Sequence, residues 1–195
     1  MLEILLIRHG ETDYNKNGMF AGSTDIGLNE TGMTQALRLG ERLKDETIYN
    51  IYSSDLKRCV ETGKHIESNI LFSENLREMN FGCWEGLTYN EIKEKYPDDL
   101  KMWESDWSGY VIPEGESFNQ MSRRLLKEFG QIIKVNKGSV DKVAVISHSG
   151  CIRSILGHHI IGSVKESWRF RIENATVSRL YIINDYMFLK SLNER

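Results

Sequence analysis

Two histidines in this chain stand in settings where an imidazole could do chemistry on an anion. The run Arg8-His9-Gly10-Glu11-Thr12 follows directly on the aliphatic stretch at residues 4–7, and Ser147-His148-Ser149-Gly150 follows the aliphatic stretch at 143–146. In an α/β sheet, ligands bind at the carboxyl ends of the strands, which is where both histidines fall. Arg8 sets a guanidinium beside the first histidine, and Gly10 allows close backbone approach. Ser149-Gly150 opens a helix whose free amides and positive dipole end suit a phosphate. Arg58 lies early in a further helix, off its apolar face, and Glu78 stands at the entrance to an aromatic-rich segment. Two histidines, two arginines and one carboxylate are the parts of metal-free phosphoryl transfer. Guanidinium donors hold the phosphate, an in-line nucleophile attacks it, and an acid protonates the leaving oxygen. A neutral imidazole can attack phosphorus directly, and nearby positive charge helps to keep it neutral.

Other chemistries lack their signatures. The sequence contains no Gly-x-Gly dinucleotide fingerprint, no P-loop and no Gly-x-Ser-x-Gly elbow. No cysteine is followed six positions on by arginine, and no Asp-x-Asp pair occurs. His158 and His159 are adjacent, so they point to different sides of a helix end, and no metal-ligand spacing is present. Neither a metal nor another cofactor is expected. Cys59, Cys83 and Cys151 are too few and too scattered for a disulfide framework, which fits a reducing compartment.

The elements that must position these residues follow from periodicity. Short β-branched runs alternate with helix-period segments, the pattern of an α/β layer fold. Strands are predicted at 4–7, 51–52, 70–73 and 143–146, with one or two more over 177–189. A helix over 31–44 should bury Met33, Ala36, Leu37, Gly40 and Leu43, capped by Asn29 or Thr31. Ser53 or Ser54 is expected to cap the helix carrying Leu56, Cys59, Val60, Gly63 and Ile66. A long helix is expected over 116–135, and another after His148 with Ile152, Ile155, Leu156 and Ile160 on one stripe. Residues 80–115 are the least regular part, rich in Trp and Tyr, and read as a lid or wall over the site.

The chain has 195 residues and a formal net charge of −3. That suits one globular domain spanning 1–195, burying roughly 70% of the unfolded chain's surface. Residues 1–97 carry 11 basic and 16 acidic side chains and residues 98–195 carry 14 and 12, so neither half is a basic polyanion-binding surface, which argues against a nucleic-acid partner. No apolar run approaches the ~20 residues of a membrane span, and Met1-Leu2-Glu3 lacks the basic start of a secretory signal, so a cytoplasmic location is expected.

Taken together, these motifs resemble the histidine phosphatase superfamily (phosphoglycerate mutase-like) over essentially the whole length. The resemblance rests on Arg8-His9-Gly10-Glu11-Thr12, Thr24-Asp25 with Leu28, and Ser53-Ser54-Asp55-Leu56-x-Arg58. It also rests on Glu78-x-x-Phe81-Gly82-x-Trp84-Glu85-Gly86, Gly115-Glu116-Ser117 and His148-Ser149-Gly150-x-Ile152-Arg153. Within the superfamily the chain is similar to the short bacterial α-ribazole phosphatases. The resemblance implies a three-layer α/β/α sandwich with a mostly parallel central sheet and one antiparallel edge strand. It implies His9 as the nucleophile, Arg8, Arg58 and His148 as phosphoryl ligands, and Glu78 as proton donor and then base. Asn15, Ser149 and Thr24 are the further substrate contacts it suggests, with Glu11 and Glu85 competing for the acid role.

The partner implied is a small phosphorylated metabolite, α-ribazole 5′-phosphate first. Phosphoserine, a sugar phosphate or a broad range of phosphomonoesters are alternatives. A cofactor-dependent phosphoglycerate mutase is the other enzyme reading, disfavoured because such mutases usually carry an inserted segment that closes over the phosphohistidine and excludes water. A phosphate-binding module without turnover is the non-enzyme reading. Oligomeric state is not legible, with a homodimer one option. One departure is the Ser149 that stands where the phosphatase pattern usually has glycine.

Overall fold

The computed structural model describes residues 1–66 and 69–195. Strand β1 (Leu2–Arg8) is buried along nearly its whole length, without the alternation of a half-exposed strand. Such a strand belongs inside a sheet covered on both faces. It pairs in parallel with β4 (Lys142–Ser147) on one side and antiparallel with β5 (Val177–Ile183) on the other. Outward from β4 lie β2 (Asn50–Ser53) and β3 (Ile70–Phe72), both parallel, giving the order β3-β2-β4-β1-β5-β6. The strand that runs against the others is β5. It lies one position in, and the edge itself is β6 (Tyr186–Glu194), antiparallel to β5. The two are joined through Asn184 and Asp185, both at positive φ, as a tight right-twisted hairpin requires.

Successive β1 side chains separate two cores. Leu5 and Ile7 pack with Ile51, Cys59, Ala144 and Ile146 against helices α2 (Glu30–Leu43) and α3 (Lys57–Gly63). Ile4 and Leu6 pack on the opposite face with Val143 and Val145. There α6 (Phe118–Asn136) contributes Met121, Leu125 and Phe129, and α7 (Ser149–Leu156) contributes Ile152 and Ile155. The result is three layers, helix–sheet–helix.

Local signals set the helix starts, with some shifts; the single-turn α1 (Asp13–Lys16) opens on a capping box between Thr12 and Asn15. Asn29, rather than Thr31, caps α2 by accepting from the Gly32 amide at 2.8 Å. The buried stripe of α2 runs through Ala36, Leu39, Gly40 and Leu43. Met33 and Leu37 are 43% and 54% exposed, so the expected face was rotated toward them by mistake. The N-cap position of α3 is Leu56, which supplies no side-chain cap, and Ser53 and Ser54 are both buried at the end of β2 instead. Ser117 and Gln120 form a capping box at the start of α6. Helix α7 gives way to a π-turn at Gly157–Ile161, which leaves Ile160 only half-buried.

Residues 80–115 contain two short helices, α4 (Tyr89–Lys95) and α5 (Pro97–Ser105). Trp84 anchors the segment. It is fully buried, with Phe20 and Trp103 set edge-on at 6.1 and 5.9 Å between ring centres. Tyr89 lies on the outer surface, 43% exposed. Among the described residues, no helix is long and apolar enough to cross a membrane.

Candidate active site

The register of β1 and β4 brings the two histidines together. Ile7 is opposite Ile146 and Arg8 opposite Ser147, so the next residue on each strand is a histidine at the same sheet edge. The His9 amide donates to the Ser147 carbonyl at 3.1 Å, and the two rings meet at 5.1 Å between centres, inclined by 60°.

The backbone and side-chain partners fix both tautomers. Nδ1 of His9 is 2.7 Å from the Gly10 carbonyl oxygen. A carbonyl only accepts, so the ring proton sits on Nδ1 and Nε2 carries the lone pair. On His148, Nδ1 faces the Arg58 Nε–H at 3.2 Å and must accept. Its Nε2–H then points at Ser54 Oγ, 3.0 Å away. Both imidazoles are held well below their ordinary pKa. For His9 the causes are burial and then Arg58 and Arg8, opposed by the Gly10 bond; for His148 they are burial and then Arg58, His9 and Arg8.

Arg58 is 0% exposed and, among the described residues, has no carboxylate within ion-pair distance. Besides its bond to His148 it donates to the Thr24 carbonyl at 2.9 Å and the Gly22 carbonyl at 2.6 Å. These carbonyls are aimed by Glu85, whose carboxylate accepts from the amides of Phe81, Gly22, Ser23 and Thr24 and from the Thr24 hydroxyl. Thr24 therefore acts behind the site, through Arg58, with its hydroxyl committed to Glu85 at 2.6 Å. Arg8 donates through Nη1 to the Ile172 carbonyl at 2.7 Å and lines the cavity. Burial lowers its pKa to about 10, with Glu78 opposing.

Of the three candidate carboxylates, Glu78 alone lines the cavity. It is 8% exposed; Oε2 accepts from the Gly150 amide at 2.8 Å and Oε1 from its neighbour Met79 at 3.0 Å. The strand-end segment carrying it is pinned from both sides. Arg124 of α6 donates to the Arg77 and Glu78 carbonyls at 2.8 and 2.9 Å, and Ser147 Oγ donates to the Leu76 carbonyl at 2.8 Å. Glu11, by contrast, accepts from Asn29 at the start of α2 and stays in the scaffold.

Asn15 lines the cavity. Its Oδ1 accepts from the Thr12 amide and from Asn174 Nδ2, so its own amide hydrogens are left for a ligand. Ser149 lines the cavity at the first turn of α7. Three participants escaped the sequence reading. Ser54 was named in a motif and as a possible cap but given no part in the site, and neither Arg124 nor Asn174 was singled out. Asn174 also donates to the His9 and Gly10 carbonyls at 3.2 and 3.3 Å, tying the His9–Gly10 loop to the chain before β5.

The cavity has a volume of about 650 Å³. Its lining combines the polar Arg8, Asn15, Glu78 and Ser149 with the aromatic Phe81, Trp103, Trp107, Phe118 and Trp168. Paired imidazoles with one free Nε2, beside buried guanidiniums, mark a histidine-based phosphotransfer enzyme on an α/β sandwich. The chain belongs to the histidine phosphatase superfamily (branch 1), whose family model matches residues 4–195. It is a phosphatase by that membership and by its phosphatase-named relatives.

It is 38% identical over 160 residues to the metal-independent phosphoserine phosphatase of Arabidopsis thaliana. That match spans 78% of this chain and 66% of the plant protein. It is 26% identical over 200 residues to the adenosylcobalamin/α-ribazole phosphatase of Salmonella typhimurium, covering 100% of this chain and 97% of that one. The crystal structure of the α-ribazole phosphatase from Shigella flexneri superposes with a TM-score of 0.91 at 25% identity, over 99% of this chain and 96% of the other.

Proposed function

We propose that this protein hydrolyses a phosphomonoester through a phosphohistidine on His9, without a metal, and that its leaving group is α-ribazole. The observation that carries the mechanism is the His9 Nδ1–H bond to the Gly10 carbonyl, which leaves Nε2 as the free nucleophile beside Arg8 and Arg58. The His9 Nε2–phosphorus bond forms as the bond from phosphorus to the ester oxygen breaks. Arg8 and Arg58 hold the equatorial oxygens together with His148, whose Nε2–H exchanges Ser54 Oγ for a phosphoryl oxygen, and the Asn15 amide adds a donor. Glu78 gives its proton to the departing alkoxide. It then takes one from the water that attacks the phosphohistidine, and phosphate leaves.

The leaving-group assignment is supported by the aromatic share of the cavity lining, Trp103, Trp107 and Phe81 among it, a composition that suits a planar base. Full-length similarity to α-ribazole phosphatases agrees with it. Phosphoserine is the second reading. Arg153 lines the same cavity and could take a carboxylate, and the Arabidopsis relative bears that activity in its name.

The test is phosphate release, with EDTA present, from α-ribazole 5′-phosphate, phosphoserine, 3-phosphoglycerate and p-nitrophenyl phosphate, for wild type and His9→Ala. Turnover that survives EDTA and disappears in His9→Ala, with kcat/KM highest for α-ribazole 5′-phosphate, is the expected result. A preference for phosphoserine that Arg153→Met abolishes would replace the leaving group and keep the mechanism. Full activity in His9→Ala would overturn the mechanism itself.

A further inference from the structure

A second cavity, of about 280 Å³, opens on the far side of the nucleophile loop, between α2 and the chain around residue 174. Its walls carry three guanidiniums, Arg38, Arg42 and Arg195, together with the amides of Gln35 and Asn174. Among the described residues, neither Arg38 nor Arg42 has a carboxylate within ion-pair distance, while Arg195 is paired with Glu173. The acidic groups nearest to Arg42 are already engaged. Glu194 accepts from Arg179 at 2.8 Å, and Glu46 is held by Arg179 and by Lys142. Arg42 Nε and Nη2 are buried with no hydrogen-bond partner among the described residues. Both atoms are closed to solvent, and so to a ligand; the cavity meets the rest of the Arg42 side chain, whose charge has no carboxylate partner among the described residues and favours an anion nearby.

Two walls of this cavity also hold the nucleophile loop. Gln35 Oε1 accepts from the Glu11 amide at 2.9 Å. Asn174 Nδ2 reaches the His9 and Gly10 carbonyls and Asn15 Oδ1. We propose that this cavity is a second oxyanion site, taking inorganic phosphate on Arg38 and Arg42, and that its occupancy is felt at His9 through Gln35 and Asn174. Phosphate is the right class because the cavity is small, strongly cationic and lined by forked donors suited to a tetrahedral anion. It is also the species the phosphatase reaction releases. The site does not depend on which leaving group the enzyme takes.

Binding is read first, without turnover. In Arg58→Ala, which removes the catalytic cradle, phosphate should still move the Arg42 Nε–H resonance saturably in the millimolar range, and chloride at equal ionic strength should not. Adding Arg38→Met should weaken that binding by about tenfold, the loss of one charge-assisted bond. Arg38 is exposed, so this substitution leaves the fold intact.

Turnover is read second. Phosphate bound only at the catalytic centre competes with substrate and raises the apparent KM alone. Occupancy of the second site should also change kcat on p-nitrophenyl phosphate by about twofold or more in wild type, and in Arg38→Met inhibition should become purely competitive. A resonance that phosphate does not move, or a kcat effect that persists unchanged in Arg38→Met, would overturn the proposal.

Discussion

The Gly150 amide donates to Glu78 Oε2 at 2.8 Å, and a β-carbon on Gly150 would collide with Oε1 of the same carboxylate. A side chain at 150 would therefore force the Glu78 carboxylate to shift, whereas Ser149 lines the open cavity. Gly150→Ala should displace Glu78 and lower kcat on alkyl phosphates by about 10²-fold, the scale of general acid catalysis. The loss on p-nitrophenyl phosphate, whose leaving group needs little protonation, should be less than about tenfold. Steady-state kinetics on both substrates decides it; equal losses would remove Glu78 from the acid role.

Glu85 supports a prediction about position rather than chemistry. Burial alone would raise its pKa, but the bonds from the Thr24 hydroxyl and the amides of Phe81, Gly22 and Ser23 outweigh that and hold it ionised. Glu85→Gln keeps the volume and removes one of two accepting oxygens, leaving amides of the 22–24 loop unmet. Unfolding in urea should show a loss of about 2–4 kcal/mol. Catalysis should fall as well, because the Gly22 and Thr24 carbonyls that aim Arg58 lose their anchor. A variant with full stability and reduced activity would mean that the clamp is not structural.

Much of this site was legible because its chemistry sits in contiguous motifs at strand ends. His9 and His148 each follow a run of apolar residues, and parallel strands in register must place such neighbours side by side. Arg58 was legible as a cation but not as a wholly buried one, since burial came from the carbonyls of a loop more than thirty residues away in sequence. Asn174 and Arg124 were invisible for the same reason: each acts through backbone carbonyls, which carry no residue-type signature. In the scaffold, the α2 stripe was misread because Met33 and Leu37 are apolar yet lie on the solvent side, and hydrophobic residues at a surface are common. The antiparallel β5 lies inside the sheet because a second C-terminal strand follows it, a number the sequence left open.

The cysteines offer a check on the buried environment. Burial pushes the Cys59 thiol up to about 12, and burial together with Glu78 pushes Cys151 well above its usual range. At pH 8 the thiolate fraction of Cys59 is about 10³-fold below that of an ordinary thiol. Iodoacetamide should therefore modify half-buried Cys83 first, with Cys59 and Cys151 reacting only on unfolding. Mass spectrometry of native and urea-treated protein gives the order, and early loss of the Cys59 thiol would contradict the packing around His148.

Acid should weaken the fold through its histidines before its carboxylates. His9 and His148 have depressed pKa values in the folded state, and burial with a contribution from His158 brings His159 to about 4. Unfolded, each titrates near 6.5, so below that pH the unfolded chain binds protons that the folded chain refuses. The stability these groups contribute is fully present above about pH 6.5 and is lost as pH falls toward their folded values. Each adds a slope of at most about 1.4 kcal/mol per pH unit. Glu46, held at about 2 chiefly by Arg179, begins to contribute its own loss only below about pH 4.5. Urea unfolding at pH 7.5, 6.5 and 5.5 should therefore show little change across the first step and a clear drop across the second. His159→Gln, away from the site, should reduce that drop by one histidine's share. The matching NMR observation is that the His9 and His148 ring signals stay flat from pH 8 to 5.5. A ring that titrates near 6.5 would mean that its pocket is wetter than the geometry allows, and that the nucleophile loses its lone pair on mild acidification.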